Sequence, residues 1–540
     1  MNDSYGARMT ISRLERLKQK ETRRLWAVIL GGKMLGILGV LGVTYAFTWF
    51  VGSPAGASPL QEPLHTADEL VSPINTMWVL IAAFLVFFMQ AGFMALEAGF
   101  ARSRETVNIM MECIVDTCLC GILFWAFGFA FMFGEGNGFI GTEFFGLGGA
   151  PDTYGTTGVA FLAFFLFQFA FADTTSTITS GAMVGRTGFK GDLLYSFAVS
   201  GFIYPIIGHW IWGPGGWLGN MTPSFLNDLT GGAVFRDFAG STVVHTVGGF
   251  VALWGAIALG PRIGRKFKAD GGGPTPPHDL NIAAIGAVIL WFGWYGFNPG
   301  STLSALDAIG IGRVAANTTL AACAAGLVAM AFVYPRSHKW DLGMTINGFL
   351  GGLVAITAPC YWVSPVAAIA IGSIAGILVP LGVDLLEKLK IDDPIGAVPV
   401  HGFVGIWGTL SIGLFASGDF GIPGPDGADT TTTVEGLLYG GGMDQLLAQI
   451  IGSATVVVAV SIVGAALMYG VKATKTLRVE EEGELEGLDI FEHGTPAYHM
   501  EFGHGMTYSA PLGKPLVLDS DDSDEDDGDV DTPSKVETSA

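Results

Sequence analysis

Between residues 74 and 471 the chain passes through eleven hydrophobic segments, and this succession restricts its fold more than any other feature. The segments cover 74 to 100, 108 to 134, 157 to 184, 193 to 218, 239 to 260, 280 to 298, 313 to 335, 345 to 361, 364 to 386, 397 to 417 and 444 to 471. Each is near or above the length an α-helix needs to cross a bilayer, roughly 20 residues. Hydrocarbon offers backbone N–H and C=O groups no partner, so such segments must satisfy their own. With 540 residues, half of them hydrophobic and only 14% charged, a soluble globule with a large core is excluded. The expectation is an all-α integral membrane protein of eleven transmembrane helices.

Lys and Arg assign the sides. Arg102/Arg104, Arg186/Lys190, Arg262/Arg265/Lys266/Lys268, Arg336/Lys339, Lys388/Lys390 and Lys472/Lys475/Arg478 follow alternate segments, while the loops between hold few or none. The pattern predicts a multi-pass protein of the cell (plasma) membrane, with the mature N-terminus outside and the C-terminus cytoplasmic. The first 33 residues carry eight Lys or Arg against three acids and precede an uncharged run, Met34 to Phe50. Ala55-Gly56-Ala57 then offers small residues for cleavage, so residues 1–57 read as a signal peptide or, uncleaved, a signal anchor. An extracellular segment, 58–73, leads into a membrane domain over 74–472.

The net charge is −21, and the run Asp519 to Asp531 carries part of the excess. Residues 511–540 are too charged and too poor in aromatics to fold, and read as a disordered acidic tail. Carboxylates that hold hydration water suit a surface built for high salt, which points to a halophilic archaeal source.

An odd helix count has a consequence: two five-helix halves in series, followed by a final helix, must lie in opposite orientations. A trace of such an inverted repeat is present. Asp237 precedes His245 by eight residues and Asp393 precedes His401 by eight; Gly249 and Gly405 follow each histidine by four. An imidazole in lipid is expensive, so a membrane-embedded histidine is a functional residue by default, although one bonded to a helix carbonyl would be structural. Two at equivalent places suggest a shared site at the repeat interface, where they can share a proton between ring nitrogens. Phe167, Phe171, Trp212, Trp291, Trp294 and Phe297 fall in segments that would line the same path. Trp212, in a Trp-Gly-Pro-Gly-Gly turn near the outer surface, can receive a small cation on its ring face. Asp237 reads first as an N-cap, with a charge that biases the vestibule towards cations. Glu97 reads as a structural hydrogen-bonding partner.

All five cysteines lie in apolar runs without ligand spacing, so neither a disulfide framework nor a zinc site is expected. No nucleotide-binding loop, nucleophile elbow or metal-ligand helix stands out. No enzyme activity, cofactor, metal or nucleic-acid partner is predicted.

From Met77 to Tyr498 the chain resembles the ammonium transporter (Amt/Mep/Rh) family, in its Amt branch. The resemblance rests on FMQAGFMALEAG (88–99), FQFAFA (167–172), DFAGSTVVH (237–245), WYGFNPGS (294–301), NGFLGGLVAITA (347–358), DDP (392–394) and VHG (400–402), in order. It implies an eleven-helix pseudo-symmetric bundle assembled as a homotrimer with one pore per subunit. It also implies an outer recruitment site at Trp212 and Ser301 with Phe171, a phenyl gate of Phe171 and Phe297, and a pore wall of Trp294 above the twin histidines His245 and His401. Asp237 matches the acid beside recruitment and Asp393 its counterpart. Gly396 departs from the pattern, standing where many relatives have a further aspartate. Residues 473–510 resemble the family's cytoplasmic coupling segment, which implies a PII-type regulator as a possible partner. The function implied is transport: ammonium, with methylammonium as its analogue, loses a proton and crosses as ammonia. The alternatives are an ammonium sensor with little transport and an Rh-like channel for neutral gas.

Overall fold

The computed structural model describes residues 67–273, 275–424, 427–429 and 433–498. The expected signal segment, part of the segment that follows it, the end of the coupling segment from residue 499 and the acidic tail lie outside the described residues. Ten described helices are long and apolar enough to cross a membrane. They begin with α1 (Ala67–Phe100), α2 (Thr106–Phe133), α3 (Phe161–Gly181), α4 (Phe189–Trp212), α5 (Ser241–Leu259) and α6 (Leu280–Phe297). After α7 (Ala308–Ser337) comes a shorter apolar helix, α8 (Leu342–Thr357), then α9 (Pro365–Leu389), α10 (Val398–Phe415) and α11 (Asp444–Ala473). The shorter α8 stands where the eighth segment was expected; its 16 residues rise about 24 Å. Helix α1 starts at Ala67, so residues 67–73, expected in the extracellular segment, are already helical.

Local signals set several of these boundaries. The side chains of Asp279, Asp307, Asp341 and Ser364 each accept a backbone N–H from the first turn of α6, α7, α8 and α9. Pro365 follows Ser364 at the first helical position, where its missing N–H is no loss. Helices α7 and α9 end on residues with left-handed backbone, His338 and Lys390.

Between helices the packing relies on small residues. Helices α1 and α6 meet along Gly92, Gly99, Gly286 and Gly293, where an added Cβ would run into the opposing helix. Helix α7 presents Ala321 and Ala325 to Gly352 of α8 and to Gly372 and Gly376 of α9 in the same way. Close backbone approach yields dispersion contacts that lipid cannot replace, the usual basis of helix association in membranes. Away from these seams the surface is apolar: Met77, Ile81, Phe84 and Phe88 form an exposed stripe on α1. In water such a patch would aggregate; in hydrocarbon it is the expected exterior. After α11, two short helices, α12 (Glu481–Glu486) and α13 (Leu488–His493), return to the bundle. There Arg478 donates to Leu259 O and Pro261 O, and Asp489 accepts the N–H of Asn108 at 2.9 Å.

Candidate functional site: an aromatic and histidine path between two vestibules

Helices α5 and α10 begin alike. The Asp237 carboxylate accepts the N–H groups of Gly240, Thr242 and Val243 at 2.8–2.9 Å. Asp393 accepts those of Gly396, Ala397 and Val398 at 2.9–3.1 Å. Each acid thereby serves donors that a helix start leaves without partners. The first turn is then wide: Ser241–Thr246 and Val398–Phe403 are π-helical. In the first of them, the N–H of His245 reaches back to Gly240 O at 3.1 Å. A π turn carries an extra residue and re-aims the side chains on it, which is why such turns gather at functional sites.

Here they aim the two histidines at each other. Nδ1 of His245 lies 3.1 Å from Nδ1 of His401, with the rings 5.2 Å apart and 24° from parallel. One of these nitrogens must carry the hydrogen and the other accept it, so a neutral pair shares a single proton across the contact. His245 is fully buried and its Nε2 has no hydrogen-bond partner.

A file of rings continues from the pair towards Asp237. His245 stacks on Trp294 at 5.2 Å and on Phe297 at 5.5 Å, Phe297 stacks on Phe171 at 4.0 Å, and Phe171 meets Trp212 edge-on at 6.3 Å. Hydrogen bonds fix the file: Trp294 Nε1 donates to Thr357 Oγ1, Trp212 Nε1 to Asp237 O, and Ser301 Oγ to Phe297 O. Phe167 packs on Phe171 at 4.7 Å. Trp291 does not join the file; it packs against Phe349 instead. Glu97 accepts from Ser180 Oγ at 3.4 Å, away from the path.

Cavities open at both ends. One of about 370 Å³ is bounded by Trp212, Asp237 and Ser301; one of about 620 Å³ by Asn347, Asp393 and Gly396. Between them Phe171 and Phe297 are buried and close the way. Burial pushes the carboxyls of Asp237 and Asp393 up to about 6, although the backbone N–H groups hold them down. Beside Asp393, burial would raise Asp392 too, but the Arg262 guanidinium bonded to it keeps it well below the carboxylate range. Among the described residues no group of His, Cys, Asp or Glu is arranged to hold a metal ion.

The sequence reading missed the backbone device that serves both histidines. Gly240 and Gly396 have left-handed φ of 113° and 81°. Their signal was present as Asp-x-x-Gly-x-x-x-x-His in both halves, and it gives Gly396 a reason to be glycine. Thr357, which holds Trp294, was also missed.

The family model "Ammonium Transporter Family" matches residues 77–498. "Ammonium transporter Amt2" of Archaeoglobus fulgidus is 43% identical over 468 residues, 86% of this chain and 96% of that one. "Ammonium transporter 1 member 3" of Solanum lycopersicum is 40% identical over 80% of this chain and 94% of its own length. Among solved structures, one titled "Sensor Amt Protein" superposes with a TM-score of 0.69 at 36% identity, covering 79% of this chain and all of that one. Mep2 of Candida albicans superposes at 0.68 with 28% identity, covering 77% and 89%. Since the family model spans residues 77–498 and Amt2 is 43% identical over 86% of this chain, the chain belongs to the ammonium transporter family.

Proposed function

We propose that this transporter recruits ammonium in the vestibule at Trp212, Phe171 and Ser301, removes a proton there, and conducts ammonia past Phe171 and Phe297 and along Trp294, His245 and His401 to the cytoplasm. The observation that carries the reading is the unbroken file from Trp212 to His401, apolar except for the two imidazoles. Moving the intact ion through so dry a path would approach the idealised Born cost of ~20 kcal/mol. With the Lys ammonium, pKa ~10.4, as stand-in, deprotonation near pH 7 costs only about 4 to 5 kcal/mol. Deprotonation therefore wins.

The proton can follow separately. The 3.1 Å contact between Nδ1 atoms supports a relay through the pair, with net proton transfer. Asp237 adds negative charge beside the aromatic ring that receives the cation. The side bearing Asp237 is taken as outside and that bearing Asp393 as cytoplasmic, from the Lys and Arg bias. The remaining expectations belong to the same reading: eleven spans in two inverted repeats plus a final helix, a homotrimer in the cell membrane, a PII-type regulator at the coupling segment, the domain boundaries and a halophilic source.

His245→Ala tests the mechanism. Loss of ammonium-evoked current with methylammonium uptake intact and electroneutral is expected; an unchanged current overturns the relay. The likeness to a structure titled as a sensor favours a second reading, binding with little transport. Proteoliposomes separate the two, since saturable current on adding ammonium is expected of a transporter and none of a sensor.

A further inference from the structure

Helices α2, α3 and α4 enclose a polar seam that the ammonia path does not use. On α4 it runs through Asp192, Ser196, Ser200 and Tyr204, one residue per turn, over about 18 Å of helix. Helix α2 faces it with Glu112 and Asp116, and α3 adds Asp173. All are buried to at least 97%.

Among the described residues none of these four acids has an ion-pair partner, and their neighbours are acids or neutral donors. Asn108 donates to Glu112 at 2.8 Å, Thr117 to Asp173 at 3.1 Å, and the Tyr195 hydroxyl to Asp192. Asp116 lies beside Asp192 and Ser196, yet neither of its oxygens has a hydrogen-bond partner. The other titratable groups near the seam are Glu97 from α1, Glu105 at the start of α2, and Cys113 and Cys120 within α2.

A second observation is independent of the acids. Ser196 Oγ, Ser200 Oγ and the Tyr204 hydroxyl are fully buried donors without partners on the α4 stripe, where Asp192 keeps one unpartnered oxygen and Asp116 faces them from α2 with two. Orphan donors and acceptors facing one another across helices are the setting in which buried water bridges. The acids are not gathered tightly enough to hold one metal ion. Four uncompensated negative charges inside a membrane are not sustainable, so the ligand that suits the seam is the proton, carried on carboxyls and bridging water.

The geometry points to the seam as a hydrated, proton-binding well that is separate from the ammonia path and loads from the face bearing Asp393, cytoplasmic in the proposed orientation. At that face Asn108 joins Glu112 to His493 of α13, whose Nε2 lies 2.9 Å from the Asn108 amide oxygen. At the other end Tyr204 meets Phe124, which packs on Phe129 and Phe165 and closes the seam. The well is therefore blind, a store rather than a second channel. Only its assignment to the cytoplasm rests on the proposed transport reading.

Infrared spectroscopy of the full chain in lipid tests this through the C=O stretch of protonated carboxyls. Bands that move to lower frequency promptly in D2O, and components lost in Asp116→Asn and in Asp192→Asn, are expected, with methylammonium uptake retained in both. A band insensitive to D2O would mean a dry seam and overturn the proposal, as would spectra of both variants identical to the parent. Should either variant fail to fold, Glu112→Gln and the D2O shift of the unaltered protein decide the matter. The infrared outcomes do not bear on ammonia conduction, whose failure would appear in uptake and current instead.

Discussion

Gly240 and Gly396 stand in the same relation to their helices: each lies three residues after a capping aspartate and five before a histidine, with left-handed backbone. Each lets the chain turn so that the acid can collect three N–H groups while the following π turn aims an imidazole at its counterpart.

Substitution at Gly396 should depend on whether the new residue tolerates that backbone. A left-handed conformation costs an ordinary residue roughly 1–2 kcal/mol, and Asp or Asn less, because their short polar chains bond locally. A Cβ at Gly396 would also sit 2.8 Å from Asn347 Nδ2, which donates to Ile395 O. Gly396→Val is expected to lower thermal stability in detergent clearly more than Gly396→Asp. Equal losses would show that backbone conformation is not the reason for glycine here.

Asp237 should confer a pH dependence on recruitment. Its folded value of about 6, against 3.8 when unperturbed, means that the fold favours the protonated form. The contribution to stability is therefore fully present below about pH 3.8 and lost as pH rises through about 6. Charge for attracting a cation appears over the same interval, while ammonium stays protonated, as a Lys-like pKa of ~10.4 requires. The KM for ammonium is expected to fall as external pH rises through about 6, and Asp237→Asn to flatten that dependence. A parallel pH response in the variant would exclude Asp237 as its source.

Much of this site was legible in the sequence, because a costly residue in lipid advertises itself. His245, His401 and their acids stood out by spacing, and the family motifs supplied Phe171, Phe297 and Ser301. What escaped were features that only tertiary structure defines. Trp291 looked equivalent to Trp294 three residues on, but the neighbouring helices give them different partners, Phe349 for the first and His245 for the second. The π turns escaped too, since hydrogen-bond offset leaves no mark in composition. Helix α8 was found although its boundaries shifted, because Asp341 caps it upstream of the apolar run.

The ion pair between Arg262 and Asp392 should hold the Asp393 face together. Arg262 meets both carboxylate oxygens, at 2.8 and 3.0 Å, and both residues are buried. Removing one partner of a buried pair costs about 3–5 kcal/mol, since the other charge is left uncompensated. Asp392→Asn is expected to lower the unfolding temperature well beyond Asp384→Asn, whose partners Lys268 and Arg336 are exposed. Asp392 is depressed, so its contribution is present above about pH 3.8 and lost as pH falls through its folded value. Comparable losses in the two variants would remove the pair from that role.

Thr357 should matter to the path although it touches neither histidine. Its hydroxyl donates to Leu353 O at 2.7 Å and accepts from Trp294 Nε1 at 2.8 Å, so Trp294 is held at its far edge while its face lies against His245. Thr357→Val keeps the shape but leaves a buried indole N–H unpaired, a loss of about 1–3 kcal/mol. Trp294→Phe removes the donor and keeps an aromatic face, so in its presence Thr357→Val should cost much less. A double-mutant cycle on thermal unfolding is expected to show coupling of about 1 kcal/mol. Both single variants should also slow methylammonium uptake, because a ring free to tilt no longer fixes the plane of His245; additive stabilities with unchanged uptake would make Thr357 an ordinary core residue.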